Sequence, residues 1–214
     1  TSGRVSILGE RIGRTDVFEL RPRVGFASTS MARRIPPDET VLDVVMTAAY
    51  AVMGRWREEY DQVDVRRAMR VLAEWQLDDL ATRTFGTLSD GEQKRVQIAR
   101  SVMTDPELLL LDEPNSFLDL SHQLELMELI QRLNQDLNKT IALVIHDLNQ
   151  AIQWCDEVVV MKAGQVQAAG AITLLQDPLL LKEVFNLSCQ FVRVPGNHKP
   201  VLQASLYRME NGAA

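Results

Sequence analysis

Leu108-Leu109-Leu110-Leu111-Asp112-Glu113-Pro114 is the stretch that decides the fold. A short continuous apolar run fits a parallel strand buried on both faces. Parallel α/β sheets receive ligands at the carboxyl ends of their strands, so this run delivers Asp112 and Glu113 to the edge where a ligand arrives. An Asp there can hold Mg²⁺, and the neighbouring Glu can orient or deprotonate a water. The same pair can equally cap the turn that Pro114 begins, so alone it is only moderately specific.

On either side the pattern alternates. Ser89 to Met103 and Ser121 to Leu137 carry helical periodicity, while Thr140 to Ile145 is a second apolar strand ending at His146. Asp147 can cap a helix through Trp154, and Glu157 to Met161 with Gln165 to Ala169 flank Ala163-Gly164 as a hairpin. Such alternation predicts an α/β fold with a parallel sheet. Further upstream, Thr1 to Arg14 reads as a strand and turns, and Arg23 to Ser28 as a short strand. Thr29 to Pro37 reads as a polar loop. From Asp38 the period becomes helical: one helix capped by Asp38 or Thr40 and ended by Gly54, a second over Val65 to Trp75. Arg66, Arg67 and Arg70 lie on the outer side of that second helix and read as a solvated face. The tail reads as a helix over Pro178 to Phe185, a strand near Gln190 to Val194 and a polar end.

Composition narrows the class. With 214 residues, 46% hydrophobic and 24% charged, the chain has an ordinary globular balance, and its net charge of −6 argues against a nucleic-acid partner. No apolar run approaches the 18 or so residues of a membrane span. Cys155 and Cys189 form no CxxC pair, which favours a reduced, cytosolic setting and packing roles for both.

Two more features carry chemistry. Ser89-Asp90-Gly91-Glu92 is a capping box, as many helices have. The same geometry presents free N–H groups to a phosphate, with Gly91 permitting close approach and Lys94 and Arg95 adding charge one turn in. On spacing alone the two readings weigh equally. His146 follows a buried strand, where a lone histidine is usually structural, yet it can also reach a terminal phosphate oxygen. His122 and His198 read as surface residues.

Together, Leu88 to Val96, Leu108 to Pro114, Ser116 to Asp119 and His146 resemble the signature motif, Walker B strand, D-loop and switch histidine of an ABC-type ATPase. The resemblance covers nearly the whole chain. It implies a P-loop NTPase (ABC ATPase) three-layer α/β fold with an inserted helical subdomain: a partial core over 1–37, the subdomain over 38–87, the core over 88–175 and an extension over 176–214. It also implies ATP and Mg²⁺ as cofactors. Asp112 would hold the metal, Glu113 would act as base and His146 would lie near the γ-phosphate. Ser89, Asp90, Gly91 and Glu92 would cover the nucleotide of a second ATPase subunit in a homo- or heterodimer. Asp119 would sit at that interface, and Thr29 would stand at the Q-loop position.

Three departures qualify the resemblance. No GxxxxGK[ST] phosphate loop occurs in the sequence, and the family places one upstream of Thr1. A segment of about 30 residues is therefore expected to be lacking through truncation, and the chain by itself is not expected to hydrolyse ATP. Thr29 replaces the Q-loop glutamine and reaches a metal or water poorly. Asp90 and Glu92 replace Gly and Gln and are expected to point away from phosphate.

The C-terminal half, with His146-Asp147-Leu148-Asn149-Gln150-Ala151, is similar to ATPases of iron-siderophore, haem and cobalamin importers, whereas Arg21 to Pro114 looks more like stand-alone bacterial ATPases. The leading reading is the ATPase subunit of an iron-siderophore importer, peripheral at the cytoplasmic face and docked to transmembrane permease subunits. A half-site subunit that donates Ser89 and Gly91 without hydrolysing ATP, and a soluble ABC ATPase without membrane partners, are the alternatives.

Overall fold

The computed structural model of the chain describes residues 3–50, 54, 60–116, 118–196 and 198–207. Two compact units divide it, Thr1–Val144 and Ile145–Ala214.

In the first unit, β1 (Ser6–Ile7) and β2 (Glu10–Arg11) make a small antiparallel hairpin, followed by a one-turn helix α1 (Val17–Leu20). β3 (Val24–Ser28), β4 (Leu108–Asp112) and β5 (Thr140–Val144) then form a parallel sheet in the order β3-β4-β5. Its register sets Ser28 opposite Asp112 and Asp112 opposite Val144. The expected strand therefore exists with the expected bounds, but it is not buried evenly. Leu109 and Leu111 are buried, while the face bearing Leu108, Leu110 and the paired Phe26 (41% exposed) is only partly covered among the described residues.

Directly after β3 comes a second surprise. The expected loop at Thr29 begins instead as the single helical turn α2 (Thr29–Ala32), because the Ser28 hydroxyl caps it by accepting the Met31 N–H at 3.2 Å. The helical insertion holds α3 (Val41–Met46), a 3₁₀ turn over Thr47–Tyr50, and α4 (Gln62–Glu74). Of the two candidate caps, Thr40 takes the role: its hydroxyl accepts the Asp43 N–H at 3.1 Å. The approach to Gly54 lies outside the described residues. Asp61 caps α4, starting it earlier than the apolar pattern suggests. Val41, Val45, Ala68, Leu72, Trp75 and Leu77 are buried, each at most 2% exposed. Burying an aliphatic side chain of that size contributes about 1.5–3 kcal/mol. Trp75→Ala would lose about 3–5 kcal/mol.

Two long helices complete the unit, α5 (Asp90–Val102) and α6 (Leu120–Leu137), with Asn138 in the left-handed region ending α6. Gly25 explains how closely α5 approaches the sheet. A Cβ there would stand 2.3 Å from the Ser101 carbonyl and 2.5 Å from Leu109, so only glycine fits.

The second unit contains α7 (Leu148–Trp154), the antiparallel hairpin β6 (Glu157–Lys162) and β7 (Gln165–Ala171), α8 (Pro178–Phe185), and a second hairpin of β8 (Leu187–Val192) and β9 (Val201–Leu206). The polar end expected after the last strand is thus a pairing strand. Apart from the buried Leu202 the β9 side chains are mostly exposed, so the strand lacks a clear apolar pattern and is paired along its length with β8. Ile152, Val160, Leu175 and Leu181 form the core here, with Cys155 and Cys189 packed against it as apolar filler. Burial pushes the Cys155 thiol up, away from reactivity.

Candidate functional site

Parallel pairing of β3 with β4 brings two chain turns side by side. Because Ser28 faces Asp112, the residues that leave each strand, Thr29 and Glu113, emerge at the same edge. Asp112 is exposed there. Glu113 is half-buried and held at φ 50°, a left-handed conformation that is strained for a side-chain-bearing residue. Its N–H donates to the Val144 carbonyl at 3.2 Å, and its carbonyl accepts the Ser116 N–H at 3.2 Å and the Ser116 hydroxyl at 2.9 Å. The turn is pinned from both sides.

Lys94 joins this cluster from α5. Its ammonium donates to the Thr29 hydroxyl at 3.1 Å, the Glu113 carbonyl at 3.1 Å and the Ser116 hydroxyl at 3.4 Å. Burial pushes the Lys94 pKa down, opposed by the charges of Glu113, Asp112 and Asp90. The sequence suggested that Lys94 adds charge toward a phosphate at the helix start, whereas the structure turns it inward. A signal for this was present. Lys94, Ile98 and Ser101 follow an i, i+4, i+7 spacing and share the buried side of α5. Thr29 is likewise occupied with Lys94 and not simply a shortened glutamine.

At the start of α5, both halves of the capping box form. Ser89 accepts the Glu92 N–H at 3.3 Å, and Glu92 accepts the Ser89 N–H at 2.7 Å. Asp90 is exposed beside them, and Gly91 packs against Leu118, a Cβ there lying 3.5 Å from its Cδ2. Leu118 belongs to the Ser116 to Asp119 turn, of which Phe117 lies outside the described residues. Asp119 caps α6 by accepting the His122 N–H at 3.0 Å, and the same oxygen stands 2.8 Å from His122 Nδ1. Those bonds, the backbone one foremost, hold the Asp119 carboxyl below the usual aspartate range. His122, read from the sequence as a plain surface residue, is therefore a partner of Asp119. His146 belongs to the second unit, exposed, one residue before the Asp147 cap of α7.

Elsewhere in the first unit a cleft of about 470 Å³ runs between α4 and the end of α6. Its lining includes Val71, Leu109 and Leu133, the arginines Arg66, Arg67 and Arg70, and the carboxylates Glu74 and Asp105. The three arginines are exposed, as expected, but they border a concave surface rather than an open face.

Among the described residues no group of three or more acidic, His or Cys side chains could hold a metal by itself. Mg²⁺ is commonly bound by one or two carboxylates together with substrate phosphates. Asp112, exposed at a strand end, is the residue that fits such a role.

A parallel sheet ending in Asp112-Glu113, with a capped Ser-Asp-Gly-Glu helix start in the same unit, fits the ATP-binding domain of an ABC transporter. The chain belongs to that family: the ABC transporter profile matches residues 1–116. It is 37% identical over 166 residues to the achromobactin transport ATP-binding protein of Dickeya dadantii (strain 3937), covering 78% of this chain and 61% of that protein. With the ferric enterobactin transport ATP-binding protein of Escherichia coli (strain K12) it shares 32% over 203 residues, 94% of this chain and 73% of the relative. With the iron(3+)-hydroxamate import ATP-binding protein of Bacillus subtilis (strain 168) it shares 39% over 148 residues, 69% of this chain and 54% of the relative. The chain thus spans less than two thirds of the first and third of these proteins.

Among solved structures, an inward-facing metal-chelate type ABC transporter matches with a TM-score of 0.74 at 25% identity, over 86% of this chain and 72% of that one. A post-hydrolysis ATP-binding cassette dimer bound to ADP and Pi matches with a TM-score of 0.68 at 28% identity, over 80% and 74%. The fold is accordingly that of the P-loop NTPases of ABC type.

Proposed function

We propose that the chain is the ATP-hydrolysing subunit of an importer for iron-siderophore complexes or similar metal chelates. The observation that carries the catalytic part is the paired edge at Ser28 and Asp112, which holds Asp112 exposed and Glu113 pinned one residue beyond it. When bound, ATP supplies the γ-phosphoryl group and Mg²⁺ the charge that steadies it. Asp112 would hold the metal. Glu113 would take the proton of the attacking water. Ser89 and Gly91 cover the nucleotide of a second ATPase subunit, with Asp119 at that boundary. The Glu92 carboxylate, turned back on Ser89, supports the expectation that it does not face phosphate.

The substrate class rests on the achromobactin, enterobactin and hydroxamate relatives. The cleft lined by these arginines favours the membrane-coupled reading over a stand-alone ATPase. Its apolar lining residues and three arginines suit an amphipathic segment of a transmembrane permease that bears acidic residues. Among the described residues no helix is long and apolar enough to cross a membrane.

In the full-length protein, Glu113→Gln should lower ATP turnover about 10²–10⁴-fold while nucleotide binding persists. Turnover equal to the wild type would remove Glu113 from the role of base.

A further inference from the structure

Lys94 is a buried and heavily bonded side chain of the first unit. It is 9% exposed, and each of its three N–H groups has an acceptor: Thr29, the Glu113 carbonyl and Ser116. A buried ammonium is disfavoured unless it is hydrogen-bonded and paired, and an apolar residue could fill the same space beside Ile98. The chain keeps the charge where two turns leave neighbouring parallel strands, and where Glu113 is held in a strained conformation. Strain of that kind persists only where the surroundings over-determine it.

We propose that Lys94 is a positioning residue for the hydrolytic site. It fixes the backbone direction of Glu113 and ties that turn, through Thr29 and Ser116, to the helix whose first turn is the Ser89 to Glu92 box. One side chain would thus join the acid end of the subunit's own site to the surface it presents to a neighbour's nucleotide. In its kinetic consequence the proposal rests on the ATPase reading. Its structural content does not.

The test uses the full-length protein, first without nucleotide. Lys94→Met keeps the aliphatic stem and removes all three donors. Hydrogen exchange of the Ser116 amide, which is bonded to the Glu113 carbonyl, should accelerate at least about tenfold, while the Val96 to Ile98 amides of α5 keep their wild-type rates. Thr29→Val, whose hydroxyl reaches the Glu113 turn through Lys94, should accelerate Ser116 exchange in the wild-type background and add nothing in Lys94→Met. It also serves should Lys94→Met fail to fold. With ATP, kcat of Lys94→Met should fall at least about tenfold with KM within about twofold, because Lys94 is buried and spends its donors on Thr29, Glu113 and Ser116. Unchanged Ser116 exchange, or equal acceleration throughout α5, would overturn the proposal, as would a change confined to KM. A wild type without ATP turnover would sink the ATPase reading, and the exchange result would still decide whether Lys94 pins Glu113.

Discussion

The Glu92 carboxylate grips Ser89 twice, its Oε2 accepting the Ser89 N–H at 2.7 Å and the Ser89 hydroxyl at 2.9 Å. The backbone bond is the main reason the Glu92 pKa lies below the ordinary glutamate value, helped by the Ser89 hydroxyl, Arg83 and Arg95. A carboxylate with a depressed folded pKa stabilises the fold above its unfolded value, and that contribution disappears as pH falls through the folded one. Glu92→Gln keeps the capping geometry but not the charge. We expect the wild type to melt higher than Glu92→Gln at pH 7, and the gap to close as the pH falls below about 4. Melting curves of both proteins across that range check it, and a gap that widens toward acid would contradict the assignment.

Two glycines separate folding from function. Gly25→Ala forces a Cβ to within 2.3 Å of the Ser101 backbone, which cannot yield without moving α5 off the sheet. The variant should lose about 3 kcal/mol or more. At Gly91 a Cβ meets only Leu118 at 3.5 Å, an ordinary contact, and alanine suits a helix better. Gly91→Ala should therefore melt no lower than wild type while losing most ATP turnover, because the added methyl blocks backbone approach to the nucleotide. Full turnover in a well-folded Gly91→Ala would show that this glycine meets no ligand.

Much of this arrangement was legible in the sequence. Leu108 to Asp112 became a strand with the expected bounds because a short apolar run between turn signals has few other solutions. The capping box at Ser89 and the Asp147 cap are local chemistry, readable from four residues. What escaped depends on register or on partners distant in sequence. Thr29 meets Lys94 across 65 positions, and nothing near Thr29 announces it. The strand Val201–Leu206 escaped because, apart from the buried Leu202, its side chains are mostly exposed and show no clear apolar pattern, although it pairs along its length with Leu187–Val192.

Lys139 already pairs with Asp105 at 2.7 Å in the cleft beside α4, which leaves Arg66, Arg67 and Arg70, with the single carboxylate Glu74, as its other charged groups. Reversing two of them, Arg66→Glu with Arg70→Glu, should weaken association with the permease at least about tenfold, and raised salt should weaken the wild-type complex in the same direction. Both arginines are exposed, so the melting temperature should change little. Co-purification at low and high salt measures the effect. Undiminished, salt-independent association would place the docking surface elsewhere.

Asn149 imitates a strand in the second unit. Its Oδ1 accepts the Leu202 N–H at 2.7 Å and its Nδ2 donates to the Leu202 carbonyl at 3.0 Å, so a side-chain amide completes the outer edge of β9. Gln153, one helical turn on, donates to the Pro200 carbonyl at 3.1 Å, and the pair fastens α7 to the entry of that strand. Leu202 is 7% exposed within the core of the unit, where an unpaired backbone group finds little water. Asn149→Ala orphans one donor and one acceptor and should lose about 1–3 kcal/mol, or about 2–4 °C of melting temperature per kcal/mol. Asn149→Asp restores the acceptor but not the donor and should fall between the two. Because α7 begins two residues after His146, a weakened hold should also raise hydrogen exchange across Leu148 to Trp154. An Asn149→Ala protein that melts like wild type, with those amides still protected, would mean that packing alone seats the helix.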